Sequence, residues 1–247
     1  NITKNGDVLS LTGVTNIEDF DQMWYWKAGY SIPIGYDGLK VGADYSKMSY
    51  KIGKELKILG IEGEAEVFGI DVSYPLIRAR DKNLSVSGGI RHKTYENFLF
   101  EKTYTTSNDY YSVFELGASG DRFLGKRNHI FYTLKTTMGL EDMFGGMDDD
   151  EYTTSSRPGI TDGGWAKLNI DLTNITKIAD SVQLITRASG QIANDNLLTS
   201  EQFSIGGPDT VRGYSSGEYL GDYGYLLSAE LRTPIVPGAA AVNKYAN

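Results

Sequence analysis

Residues 23–34, MWYWKAGYSIPI, put Trp24, Trp26, Ala28, Tyr30, Ile32 and Ile34 on one side of an extended chain, and Tyr25, Lys27, Gly29 and Ser31 on the other. The same period of two returns along the whole chain. EVFGIDVSYPL sets Phe68, Ile70, Val72, Tyr74 and Leu76 against Gly69, Asp71 and Ser73. AKLNIDLT sets Leu168, Ile170 and Leu172 against Lys167, Asn169 and Asp171, and YGYLLSAELR sets Tyr225, Leu227, Ala229 and Leu231 against Ser228, Glu230 and Arg232. A side chain changes face at every residue only in a strand, so this pattern predicts an all-β chain with one apolar and one polar face.

Strands are expected near residues 7–14, 21–35, 40–53, 63–79, 83–97, 109–121, 129–139, 165–176, 181–193 and 223–235. Several reach ten residues or more, whereas globular strands run about 5–6 residues and membrane strands about 9–11 at their tilt. Short links such as PIGYDG (33–38), PLIRARDKN (75–83) and DRFLGKRN (121–128) alternate with long polar ones, above all residues 54–64 and 142–164. Outer-membrane barrels alternate short periplasmic turns with long outer loops in this way. The polar faces carry both signs of charge, including Lys27, Asp71, Arg91, Lys93, Glu115, Lys135, Lys167, Asp171, Arg187, Glu230 and Arg232. In a soluble sandwich they would meet bulk water around an apolar core. In a barrel the faces invert, and Glu115, Lys167, Asp171, Arg187, Glu230 and Arg232 become candidate lumen lining. Strand length and loop asymmetry favour the transmembrane antiparallel β-barrel, with Trp24, Trp26, Tyr223 and Tyr225 in its aromatic girdles.

The remaining composition excludes more than it assigns. The 247 residues carry a net charge of −8, which opposes a nucleic-acid partner because phosphate binding needs a basic face. The chain has no cysteine, hence no disulfide and no cysteine metal site. No run of about 18 apolar residues offers a spanning helix. MDDDEY (147–152) lacks the spacing of a calcium loop and reads as a solvated acidic tip. His92, in the outward phase near a strand end, and His129 have no ligand cluster nearby, so no metal or other cofactor is expected. No nucleophile elbow, phosphate-cradling loop or nucleophile–base pair is present, so the chain does not read as an enzyme.

One stretch remains. LLTSEQFSIGGPDTVRGY (197–214) precedes the last strand and is much longer than a hairpin requires. With GlnPhe at 202–203, GlyGly at 206–207, ValArgGlyTyr at 211–214 and the returning GDYGYLLSAELRTPI, it resembles the sixth extracellular loop of two-partner secretion transporters. That family exports haemolysins and filamentous adhesins across Gram-negative outer membranes and belongs to the BamA-like superfamily, whose barrels follow periplasmic POTRA domains. GDVLSLTG near the start, YSIPIG with DGLKVGADYSKMSYKIG, and VSYPLIRARDKNLSV extend the likeness over most of the chain.

The resemblance implies a translocation pore for a large secreted exoprotein, seated in the outer-membrane bilayer. It makes residues 1–235 an incomplete part of a sixteen-stranded barrel, from the third strand to the twelfth, and residues 236–247 a turn toward a further strand. It also implies that the loop folds inward as a plug. Arg212, flanked by Val211, Gly213 and Tyr214, would grip a carboxylate of the inner wall, and Gly206 and Gly207 would let the backbone turn. The family's usual carboxylate sits on the strand expected beyond Asn247. An insertase of the same superfamily shares the ValArgGly core and stays an alternative, as does a soluble β-sandwich binding module.

Overall fold

A computed structural model describes residues 6–16, 22–51, 58–141, 143–145, 154–159 and 163–233. The acidic stretch 147–152 and the expected terminal turn 236–247 lie outside the described residues. Ten long strands form one antiparallel sheet in chain order: β1 (Val8–Thr15), β2 (Met23–Ile34), β3 (Leu39–Lys51), β4 (Glu62–Arg78), β5 (Lys82–Leu99), β6 (Tyr104–Leu124), β7 (Asn128–Leu140), β8 (Ala166–Ala179), β9 (Val182–Ala193) and β12 (Gly224–Arg232). Two short strands, β10 (Phe203–Ile205) and β11 (Tyr219–Gly221), pair with each other inside the loop between β9 and β12.

All ten expected long strands are present, because a period-two pattern needs no knowledge of the partner strand. The two three-residue strands of the loop were not expected, being too short to show a period. β6 begins at Tyr104, five positions before the expectation of 109, because YTTSN has no apolar alternation and is held by β5 instead. There Asn97 donates to Ser107 Oγ at 2.9 Å, and Thr106 Oγ1 donates to the Asn97 carbonyl at 2.9 Å.

The apolar face stays uncovered. Trp26, Ile70 and Leu227 are 40%, 49% and 70% exposed, and among the described residues no second sheet packs on them. A sandwich would bury these side chains. The chain is therefore an antiparallel β-barrel segment with its oily face outward, and the segment does not close on itself.

The outward face changes character toward the long-loop end. Above Phe68, Glu66, Glu64 and Glu62 take the outward phase of β4, paired with Lys47, Lys102 and Lys51 respectively. β4 thus continues past the apolar band with carboxylates in its outward phase, each paired with a lysine. His92 lies well inside β5 and not near its end, yet it stands at the border of that band, in register with Phe68 and Ser112. Its Nδ1 is 3.0 Å from Ser112 Oγ.

The sign of a substitution should therefore follow strand phase. In the full-length protein folded into lipid vesicles, Ile70→Lys should lower stability by about 2–4 kcal/mol, the usual cost of a midplane lysine facing lipid. Ser87→Lys, in the opposite phase, should change it little. Heat-modifiable mobility and urea titration read both, and equal effects would contradict the assigned faces.

Candidate functional site

On the inner face, charged side chains alternate in sign across the sheet. Lys27 of β2 pairs with Asp44 of β3 at 3.1 Å. Asp44 receives Arg91 Nη1 of β5 at 3.0 Å, although β4 lies between them. Gly69 makes this reach possible: it stands in register between Asp44 and Arg91, and a Cβ there would lie 2.5 Å from Arg91 Nη1. Arg91 Nε donates to Glu115 of β6 at 3.1 Å, and Lys135 of β7 meets the other Glu115 oxygen at 2.9 Å. Lys93 of β5 stands 3.8 Å from Glu115. A planar guanidinium suits the centre of such a row, since it donates in two directions at once.

The row continues into the β9–β12 loop. Lys93 Nζ also donates to Glu201 Oε1 at 2.5 Å, and Lys167 of β8 reaches Glu201 Oε2 at 2.7 Å. Tyr111 Oη donates to the same carboxylate at 2.7 Å. The Glu201 carbonyl accepts from Lys167 at 2.6 Å and from Gln191 at 3.1 Å. Glu201 closes a 3-10 turn, Thr199–Glu201, and is 3% exposed. Burial by itself would raise this carboxyl, but the charges of Lys93 and Lys167 outweigh it and bring it down to about 2. Beside it Leu197 and Leu198 pack on Tyr111, Val113 and Trp165, the chain's buried apolar cluster among the described residues.

A second loop lies over this root. The Asp109 carboxylate accepts from Ser156 N at 2.7 Å and from Ser156 Oγ at 2.6 Å, and Thr199 N donates to Ser156 Oγ at 3.2 Å. Arg157 donates to the Leu197 carbonyl at 2.7 Å and pairs with Asp222 at 2.5 Å. Burial works to raise the Asp222 carboxyl, while Arg157, the Leu197 N–H and the Gln202 amide outweigh it and hold it below its ordinary value.

Beyond the root the loop is built differently. Gly206 and Gly207 have φ of +119° and +100°, and a Cβ on Gly206 would lie 2.2 Å from the Ser215 carbonyl oxygen. Only glycine fits there. Gly213, also at positive φ, has open space around it, and Tyr214 is exposed. Arg212 meets Glu230 of β12 at 3.2 Å, with its side chain 78% exposed. Glu230 is shared with Arg187 at 3.1 Å and Arg232 at 3.6 Å. The carboxylate facing Arg212 in this structure lies on β12, whereas the likeness points to a strand further along. An exposed pair of this kind is a weak, solvent-screened contact.

The six residues expected to line the lumen fall into three places. Glu115 and Lys167 join the row that holds the loop root. Arg187, Glu230 and Arg232 surround the loop tip. Asp171 stands apart and accepts from Ser189 Oγ at 2.7 Å. Sequence reasoning did not single out Glu201, Tyr111, Gln191, Arg157 or Asp222 as site residues. A signal existed for the first: LeuLeu at 197–198 is an apolar pair inside a polar loop, which marks a segment that is covered. Among the described residues no cluster of three or more potential metal ligands occurs. His129 has a single carboxylate, Asp121, at 2.8 Å and stacks on Phe123.

An antiparallel barrel wall with an outward oily face and a loop fixed to its charged inner face defines a class of membrane barrel with an inward-folded loop. Within that class the chain belongs to the haemolysin secretion/activation protein ShlB/FhaC/HecB family, whose profile matches residues 1–247. It is 25% identical over 208 residues to the outer membrane transporter CdiB of Escherichia coli O6:K15:H31, covering 83% of this chain and 34% of that protein. It is 26% identical over 217 residues to the hemolysin transporter protein ShlB of Serratia marcescens, covering 86% and 37%. The solved structure of CdiB from Escherichia coli superposes with a TM-score of 0.76 at 22% identity, over 95% of this chain and 43% of that one. The chain thus spans about a third of the length of the curated relatives it matches.

The root clamp has a measurable weight. Glu201→Gln leaves two lysines without their shared carboxylate, so it should destabilise the root by about 3–5 kcal/mol and open the 197–205 segment to protease in the folded protein. Replacing Lys93, Lys167 and Glu201 together by methionine should cost less than that single change. The pH dependence has a definite sign. A carboxyl lowered in the folded state supports the root above its ordinary value near 4.5 and loses that support as pH falls toward about 2. Protection of the root should stay constant from pH 8 to about 5 and fall away only in strong acid.

Proposed function

We propose that the whole protein is an outer-membrane translocation pore that exports a large secreted exoprotein of the haemolysin or adhesin type, without catalysis of its own and without ATP. The bilayer meets the oily outward face, and the exoprotein passes along the charged inner wall. The observation that carries this reading is the attachment of the β9–β12 loop to that wall through Glu201, as a segment that plugs the path would require. Family membership and the transporter names of the relatives support the same function. POTRA domains ahead of the barrel would receive the unfolded exoprotein and feed it to the lumen.

In this reading Arg212 locks the loop tip. Arg212, Gly213 and Tyr214 are exposed and lightly held, with Val211 half-buried, while the root is buried and held by several bonds. A lock must open in every transport cycle, and a weak contact at the tip meets that need better than a buried one.

Arg212→Ala should leave the barrel inserted and heat-modifiable while the exoprotein in the medium drops several-fold. Export at the normal rate from a correctly assembled variant would remove Arg212 from the mechanism. Depletion of the protein should strand one exoprotein. A fall in many unrelated barrels would identify an insertase instead.

A further inference from the structure

The short-turn end of the sheet carries a charge pattern that export does not use. β4 and β5 are joined through Ala79–Asp81, and β6 and β7 through Gly125–Arg127; the two turns are neighbours because β5 pairs with β6. Arg80, Lys82, Arg122, Lys126 and Arg127 all lie here and all are exposed. Lys82 and Arg122 are direct cross-strand partners. They share the outward phase of Leu84 and Val86 on β5 and of Leu116 and Leu124 on β6, so they stand within the last turn-side residues of the lipid-facing columns.

Like charges placed opposite each other in a sheet repel, and a neighbouring carboxylate usually relieves them. Here the chain supplies little relief. Asp121 points to the inner face, where His129 Nε2 lies at 2.8 Å and Asn83 donates to it at 3.0 Å. Asp81 is the remaining acidic residue of the two turns. Five cations against two carboxylates, Asp81 and the inward-facing Asp121, make this edge positive in a chain whose net charge is −8. An anionic partner outside the chain would supply the counter-charge that this edge leaves to solvent.

We infer that this edge is a binding surface for anionic phospholipid headgroups in the leaflet on the short-turn side, with Lys82 and Arg122 as its outward pair and Arg80, Lys126 and Arg127 completing it. Phase decides the occupant. An exoprotein in the lumen meets the inner face, whereas Lys82 and Arg122 lie on the opposite one, where apolar columns end and headgroups begin. Long basic side chains are suited to that level, since their stems lie along acyl chains while their heads reach phosphate. Several basic residues at one membrane surface draw anionic lipid with additive strength. The inference rests on the membrane-barrel reading and adds to it a lipid class and a place.

The full-length protein, reconstituted into phosphatidylethanolamine vesicles containing a minority of phosphatidylglycerol, provides the test. After gentle extraction, mass spectrometry of co-purified lipid should show phosphatidylglycerol enriched several-fold over the vesicle ratio. Lys82→Gln with Arg122→Gln should bring the ratio back toward the bulk value. The charge-conserving pair Lys82→Arg with Arg122→Lys should keep the enrichment, and Arg80→Gln should lower it partly. Heat-modifiable mobility reports insertion separately: failure of the unaltered protein to insert in any lipid would defeat the membrane reading itself. No enrichment, or equal enrichment in the Gln pair, overturns the lipid surface. An unchanged lipid ratio with impaired export in the Gln pair also overturns it, and assigns the edge to an acidic protein segment.

Discussion

Hydrocarbon offers no partner for a peptide group, and that single constraint organises this chain. Every N–H and C=O at membrane depth must be satisfied within the protein, which leaves continuous antiparallel pairing as the workable arrangement for strands. The ten-stranded ladder follows, with each strand joined to its sequence neighbour and the last to β9. Once the ladder exists, side-chain phase does the rest: oily groups gather on one face, and ionised groups on the other. The row from Lys27 through Asp44, Arg91 and Glu115 to Lys135 follows from placing both signs on one face at matching height.

The loop between β9 and β12 uses that row as a foothold. Glu201 is stable as a buried anion because two lysines and a tyrosine hydroxyl meet its carboxylate, which outweighs the burial imposed by the apolar cluster beside it. The strength of attachment falls along the loop: a buried carboxylate with several donors at the root, then glycines at positive φ, then an arginine open to water at the tip. A gradient of this kind lets one segment stay seated while another moves. Ser156 and Arg157, from the β7–β8 connection, fasten the root from above, so motion of the tip is the motion the geometry leaves cheap.

The legible and illegible parts divide along physical lines. Strand phase was readable because the alternation of Phe68, Ile70, Val72 and Tyr74 against Gly69, Asp71 and Ser73 is local. The likeness of ValArgGlyTyr to a known family singled out the tip of the loop, but it placed the facing carboxylate on another strand than β12. The root was not, since Lys93 and Glu201 are 108 positions apart and Tyr111 and Glu201 are 90 apart. Gly69 illustrates the same limit. In sequence it is a weak spot in a strand, whereas in the sheet it is the gap through which Arg91 reaches Asp44.

The order of residues alone determined that this chain folds into long strands with an oily face and a charged face, because side-chain direction alternates in any extended backbone. Which charges meet was decided only by the assembled sheet. Register, stagger and the fold-back of a distant loop bring Lys93, Lys167 and Glu201 within bonding distance, and none of those three quantities is encoded in the local spacing of residues.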